Sequence, residues 1–163
     1  MNSMILRQSE RLAEALKDKD QKIVTAESCT AGGVAYAITC IPGSSRWFEG
    51  SFVTYSNEAK KNWLQVTQKD LEVHGAVSEP VVHLMALGAL QHTSADYAAA
   101  ISGVAGPDGG TDQKPVGTVW FSWADRNQNV KTKQYQFDGN RAEVREQSIV
   151  IALQGLVEWA IQL

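Results

Sequence analysis

Ile23-Val-Thr-Ala-Glu-Ser-Cys-Thr-Ala-Gly-Gly33 is the stretch that decides how this chain folds. Its β-branched start, Ile23-Val-Thr-Ala26, predicts a short strand. Glu27-Ser-Cys-Thr30 turns the chain, and the small residues from Ala31 to Thr39 suit a helix packed closely against a sheet. Strand, turn and helix in that order are the unit from which layered α/β domains are built.

Working outward, residues 5 to 18 place Ile5, Leu6, Leu12, Ala13 and Leu16 at helical period, and the polar turn Asp18-Lys-Asp-Gln21 ends that helix. Beyond the central unit, Pro42-Gly-Ser-Ser45 breaks the chain and Phe48 to Tyr55 reads as a second strand. Ser56 to Leu64 reads as a helix capped by Ser56. Ser78-Glu-Pro80 starts another helix, with a capping serine and a proline in its first turn, that continues from Val81 to Gln91. Tyr97 to Ile101 is a buried strand, and Ser102 to Pro115 is a glycine-rich loop of a length usually kept for function. Val116 to Trp123 and Val130 to Phe137 pair as a hairpin around Asp125-Arg-Asn-Gln-Asn129. The last helix runs from Asn140 to the end. Its apolar positions, among them Val144, Ile149, Leu153, Leu156, Trp159 and Ile161, cover more than one narrow stripe, so part of that surface is expected to bury against another subunit. The element order α-β-α-β-α-α-β-β-β-α describes a layered α/β domain with a mixed sheet, a single domain over residues 1–163.

Composition agrees. A chain of 163 residues, 44% apolar and 20% charged, can bury a core without a metal or disulfide staple. Its apolar runs are far shorter than the roughly 18 residues of a membrane span, and residues 1–10 lack the apolar core of a signal peptide. A cytoplasmic protein is expected. The net charge of −3 leaves no electrostatic footprint for a nucleic-acid backbone. Cys29 and Cys40, if carried on one helix, stand about 16 Å apart along it, too far for a disulfide. His74, His83 and His92 show no ligand spacing, so no metal site is expected.

Four segments hold residue types that do chemistry. At the turn after the first strand, hydroxyls and free N–H groups meet a helix N-terminus. That arrangement suits a phosphate cradle, a nucleophilic Ser28 with an oxyanion site, or plain capping by Ser28 or Thr30; Cys29 is the alternative nucleophile. In Tyr55-Ser-Asn-Glu-Ala-Lys-Lys61, a lysine held near a serine in a dry pocket would lose its proton and serve as base, a role open to Lys60 or Lys61, whereas a solvated helix face is the plain alternative. The loop from Ser102 to Pro115 follows a buried strand, where open α/β sheets often bind ligands, but it lacks both the P-loop ending and the dinucleotide fingerprint. Arg141 and Arg145, one turn apart, would grip a phosphate or form an exposed face.

Taken together, Ala26-Glu-Ser-Cys-Thr30, Pro42-Gly-Ser-Ser45, Phe52-Val-Thr-Tyr-Ser-Asn-Glu-Ala-Lys60, His74-Gly-Ala-Val-Ser-Glu-Pro80, Ser102-Gly-Val-Ala-Gly-Pro-Asp-Gly-Gly110 and Lys114-Pro-Val-Gly-Thr118 resemble the CinA C-terminal domain family, from about Leu6 to the C-terminus. The likeness is to its stand-alone form, without the molybdopterin-binding-like domain that precedes it in longer members. The resemblance implies a three-layer α/β/α sandwich. It implies hydrolysis of the carboxamide of nicotinamide mononucleotide to nicotinate mononucleotide and ammonia, without cofactor or metal, as a step of pyridine-nucleotide salvage. The family's serine nucleophile falls on Ser28, its tyrosine on Tyr55 and its lysine on Lys60. The N–H groups of Thr30, Ala31 and Gly32 would hold the oxyanion. Ser44, Gly103, Ala105, Gly106, Arg141 and Arg145 are the candidates for holding substrate. The partner is a small molecule, neither nucleic acid nor membrane, and a homo-oligomer, dimer or larger, is expected.

Three positions depart from the family pattern. Ala31 stands where many relatives have glycine, Asn140 where related amidases tend to have aspartate, and Tyr36 where they carry a longer polar side chain. The competing readings are a non-catalytic CinA-like module that binds a nucleotide or a protein, linked to competence or DNA damage, and a phosphate-transfer enzyme, for which no Mg²⁺ carboxylate set is evident.

Overall fold

A computed structural model of the chain describes residues 1–162. Five strands form one sheet in the order β2-β1-β3-β4-β5: β1 (Ile23–Glu27), β2 (Phe48–Val53), β3 (Tyr97–Gly103), β4 (Thr118–Asp125) and β5 (Val130–Gln136). The first three are parallel and the last two antiparallel, so the sheet is mixed. Two-residue periodicity divides its side chains between two cores. Ile23, Tyr97, Ala99, Ile101, Val119, Phe121 and Trp123 face one layer of helices, α1 (Ser3–Leu16), α2 (Gly33–Thr39) and α6 (Arg141–Gln162). Val24, Ala26, Ala98, Ala100 and Ala124 face the other, α3 (Asn57–Leu64), α4 (Gln68–His74) and α5 (Glu79–Gln91). This is the expected three-layer sandwich. Among the described residues no helix is long and apolar enough to cross a membrane.

The small side chains of β3 matter because helices pack against both of its faces. Helix α6 presses closest to the sheet where Gly155 meets Trp123: a Cβ at Gly155 would lie 2.0 Å from the indole Cε2. Just beside it, the indole Nε1 donates to the Ala152 carbonyl at 3.1 Å.

Several sequence-based expectations change. Residues 68–74 form α4, which propensity did not reveal; Thr67 caps it by accepting from the Asp70 N–H. Ser56 caps α3 as expected, accepting from the Ala59 N–H at 3.0 Å. Ser78 does not cap α5: its hydroxyl donates to the Gly75 carbonyl at 2.7 Å. The second helix begins at Gly33 rather than Ala31, because Ala31 and Gly32 both have positive φ, 47° and 90°. The broad apolar surface of α6 is absorbed largely within the chain, where Val144, Ile149, Leu153, Leu156 and Val157 are buried with α1, α2 and the sheet; Ile161 stays exposed.

Candidate active site

All three parallel strands end on the same side of the sheet, Glu27 lying opposite Val53 and Ile101. The chain leaves β1 toward β2 through α2 and returns from β2 to β3 through α3, α4 and α5 on the opposite face. A crevice therefore opens beyond the carboxyl ends of β1 and β3, as expected at such a switch in strand order. Two hydrogen bonds extend the ladder into it: Ser28 N–H to the Ile101 carbonyl at 3.0 Å and Thr54 N–H to the Glu27 carbonyl at 2.9 Å. A cleft of about 280 Å³ results, lined by Ser28, Tyr55, Lys60, Gly103, Ala105 and Arg141 among others.

Lys60 reaches it from the first turn of α3, which Ser56 anchors. The side chain is 1% exposed. Its Nζ donates to the Thr54 carbonyl at 2.9 Å, the Tyr55 carbonyl at 3.2 Å and Ser28 Oγ at 3.1 Å. No carboxylate pairs with it among the described residues, and burial lowers its pKa from 10.5 to about 8. Such an amine gives up its proton near neutral pH and can then accept one from Ser28. Lys61, by contrast, sits on the outer face of α3 and pairs with Glu58 at 3.2 Å. Of the two lysines weighed from sequence, only Lys60 meets the serine. Cys29 lies beside Ser28, but burial pushes its thiol up to about 11, keeping it protonated and poorly nucleophilic.

The turn carrying Ser28 is held by a residue the sequence reading passed over. Glu27 is fully buried, and alternation along β1 puts it on the face that α2 covers. Its carboxylate accepts from the N–H groups of Val34 (2.9 Å) and Ala35 (3.1 Å), from Thr30 Oγ1 (2.7 Å) and from the Ser51 hydroxyl (3.1 Å), whose oxygen in turn accepts from Thr25 Oγ1 at 2.7 Å. Glu27 thus caps α2, not Ser28 or Thr30, and the helix N-terminus that could have cradled a phosphate is occupied by the chain's own carboxylate. The sequence signal was present in Glu27 itself, an acid at the end of an otherwise buried strand.

The other expected site residues divide. The Ala31 N–H is engaged by the Ser28 carbonyl at 3.0 Å, whereas the N–H groups of Thr30, Gly32 and Ala105 carry no hydrogen bond among the described residues. Tyr55 is 60% exposed at the mouth, where Arg141 Nη2 donates to its hydroxyl at 3.3 Å. Arg141 Nη1 donates to the Gly106 carbonyl at 2.8 Å, so one guanidinium bridges two loops over the cleft. Arg145 contacts the carbonyls of Cys29 and Thr30 instead of the open cleft. Ser44 lies in the short turn before β2, at the opposite end of the sheet. Asn140 accepts from the Glu143 N–H and donates its own N–H back to the Glu143 carboxylate, a capping box that asparagine completes as well as aspartate. Ala31 carries a methyl in a left-handed conformation that glycine adopts freely. Asn57, Ala76, Val77 and Ser102 also line the cleft and were not singled out as site residues from the sequence.

The sequence profile of the CinA C-terminal domain matches residues 6–160. The chain is 52% identical over 161 residues, 99% of its length and 98% of the relative's, to the nicotinamide-nucleotide amidohydrolase PncC of Escherichia coli K12. It is 50% identical over 148 residues, 91% of this chain and 92% of the relative, to the nicotinamide-nucleotide amidohydrolase PncC of Pseudomonas putida. The crystal structure of the competence/damage inducible protein CihA from Agrobacterium tumefaciens superposes with a TM-score of 0.94 at 38% identity, covering 97% of this chain and 96% of that one. A dyad of serine and buried lysine at the carboxyl edge of a mixed sheet is thus found in a chain that belongs to the CinA C-terminal domain family.

Proposed function

We propose that this protein is a nicotinamide-nucleotide amidohydrolase that removes ammonia from the carboxamide of nicotinamide mononucleotide. One observation carries the reading: Lys60 Nζ stands 3.1 Å from Ser28 Oγ in a buried, carboxylate-free pocket that lowers its pKa to about 8. The neutral amine takes the hydroxyl proton as Ser28 Oγ attacks the carboxamide carbon. The N–H groups of Thr30 and Gly32, on the same turn, are the donors available to the oxyanion. The Lys60 ammonium returns the proton to the amide nitrogen, the C–N bond breaks and ammonia leaves. Water, deprotonated by Lys60, then cleaves the ester and regenerates Ser28.

Tyr55 supports the proton transfer by fixing Nζ through its carbonyl, and its phenol closes the mouth with Arg141. Arg141 is the cation at the cleft entrance and is assigned the substrate phosphate; Gly106 holds its guanidinium through a backbone carbonyl, and Gly103 and Ala105 line the same cleft. The whole chain acts as one amidase domain on a small-molecule nucleotide, in the cytoplasm, in pyridine-nucleotide salvage. It works as a homo-oligomer, for which the apolar groove of about 580 Å³ along Met4, Phe137, Val150 and Ile151 offers a surface.

The test is ammonia release from nicotinamide mononucleotide by the purified protein and its Ser28→Ala variant, with a chelator present and with nicotinamide and the dinucleotide as comparison substrates. Release that survives the chelator and is lost in a folded variant supports the reading. If the wild type releases nothing from any of the three, the amidase reading fails and a binding module takes its place.

A further inference from the structure

Arg145, one turn into α6, donates through Nε to the Cys29 carbonyl at 3.0 Å and through Nη2 to the Thr30 carbonyl at 3.3 Å. Both carbonyls belong to the turn that carries Ser28. A trans peptide points its C=O and N–H in opposite directions, and the bond between Cys29 and Thr30 is trans. Holding the Cys29 carbonyl on the guanidinium therefore turns the Thr30 N–H to the other side, where it meets no acceptor among the described residues. The neighbouring Ala31 N–H is closed off by the Ser28 carbonyl, and Thr30 is anchored through its hydroxyl to Glu27. The turn thus has the Thr30 hydroxyl on Glu27, two carbonyls on Arg145 and, at Thr30, an N–H without an acceptor among the described residues two positions along the chain from the nucleophile.

We propose that Arg145 is a positioning residue that sets the Thr30 peptide plane for the oxyanion, and is not a ligand of the substrate phosphate. This rests on the amidase reading above. The guanidinium's fork is committed to two backbone carbonyls, and Arg145 does not line the cleft, whereas Arg141 does. Lysine in its place keeps the charge but replaces the rigid planar fork with a rotating ammonium, which holds the two carbonyls in no fixed direction.

Arg145→Met and Arg145→Lys test the proposal on two substrates, nicotinamide mononucleotide and the nucleoside that lacks its phosphate. The expected result is a fall in kcat of about 10² for Arg145→Met, by the same factor on both substrates, with KM within about twofold. Arg145→Lys is expected to recover part of the loss. In a Ser28→Ala background, Arg145→Met is expected to leave the calorimetric Kd for the mononucleotide within about twofold. Loss confined to the phosphorylated substrate, or a Kd weakened about tenfold or more, would assign the guanidinium to the phosphate and overturn the proposal. An unchanged kcat on both substrates would overturn it too. Should Arg145→Met fail to fold, Arg145→Lys carries the same comparison. Wild-type turnover in the same assay separates the two levels: its absence defeats the amidase reading, while its presence with an indifferent variant defeats only the positioning role.

Discussion

Glu27 and Lys60 are both fully buried, both ionisable, and both bonded to the turn that carries Ser28, yet their surroundings are opposite. The Glu27 carboxylate accepts four hydrogen bonds, two of them from the start of α2. The Lys60 amine has two carbonyls and one hydroxyl and no counter-charge among the described residues. A buried charge whose lone pairs are all used holds structure in place. A buried amine left without a counter-ion is destabilised as an ammonium, and so becomes a base. The lesson is that neither burial nor a missing counter-charge marks a catalytic group here, since among the described residues Glu27 lacks a cation as Lys60 lacks a carboxylate; what differs is that the partners of Glu27 all lie within the fold, whereas one partner of Lys60 is the Ser28 hydroxyl that lines the open cleft.

The largest effects should fall on the Lys60 side. Ser28→Ala and Lys60→Met are each expected to lower kcat for the mononucleotide by at least about 10³-fold while circular dichroism stays native, since nucleophile and base act as a unit. A residual rate within tenfold of wild type in either variant would break the comparison.

Stability against pH follows from the same lysine. Its folded pKa of about 8 lies below the ordinary 10.5. Between those values the unfolded chain binds a proton that the native state lacks, so stability rises with pH across that window, by up to about 3 kcal/mol. Below pH 8 the full cost of enclosing the charge is present. Urea unfolding of wild type and Lys60→Met should show this as a difference that grows in favour of wild type from pH 8 to 10; parallel curves would remove the buried-amine half of the argument.

On the Glu27 side the expectation is structural. Glu27→Gln turns an amide N–H toward one of the donors that now faces an oxygen, and should cost about 2 kcal/mol in urea unfolding. The smallest effect belongs to Ala31→Gly, which relieves the left-handed alanine at φ 47° and should add about 1 kcal/mol of stability, a Tm rise of about 2–4 °C. A lower Tm would show that the turn depends on the alanine methyl.

What the sequence disclosed follows the range of the interactions involved. The β-branched start of β1, the Ser56 cap and the hairpin of β4 and β5 are local, and they were legible. Helix α4 was not, because seven residues with only Leu71 buried carry too little periodicity. The start of α2 moved because its cap is a side chain from the preceding strand, acting across seven and eight residues. Spacing from Arg141 left Arg145 open between a phosphate ligand and an exposed face, whereas its partners lie more than a hundred residues away in the chain. The choice of Lys60 over Lys61 came from family resemblance; the geometry supplies the physical reason, one lysine facing the serine and the other facing Glu58.

The most direct measurement is kcat/KM for nicotinamide mononucleotide from pH 6 to 10. If Lys60 is the base that deprotonates Ser28, the value climbs tenfold per unit at low pH and levels off with a midpoint near 8. A flat profile, or one that falls as pH rises through 8, would contradict the dyad.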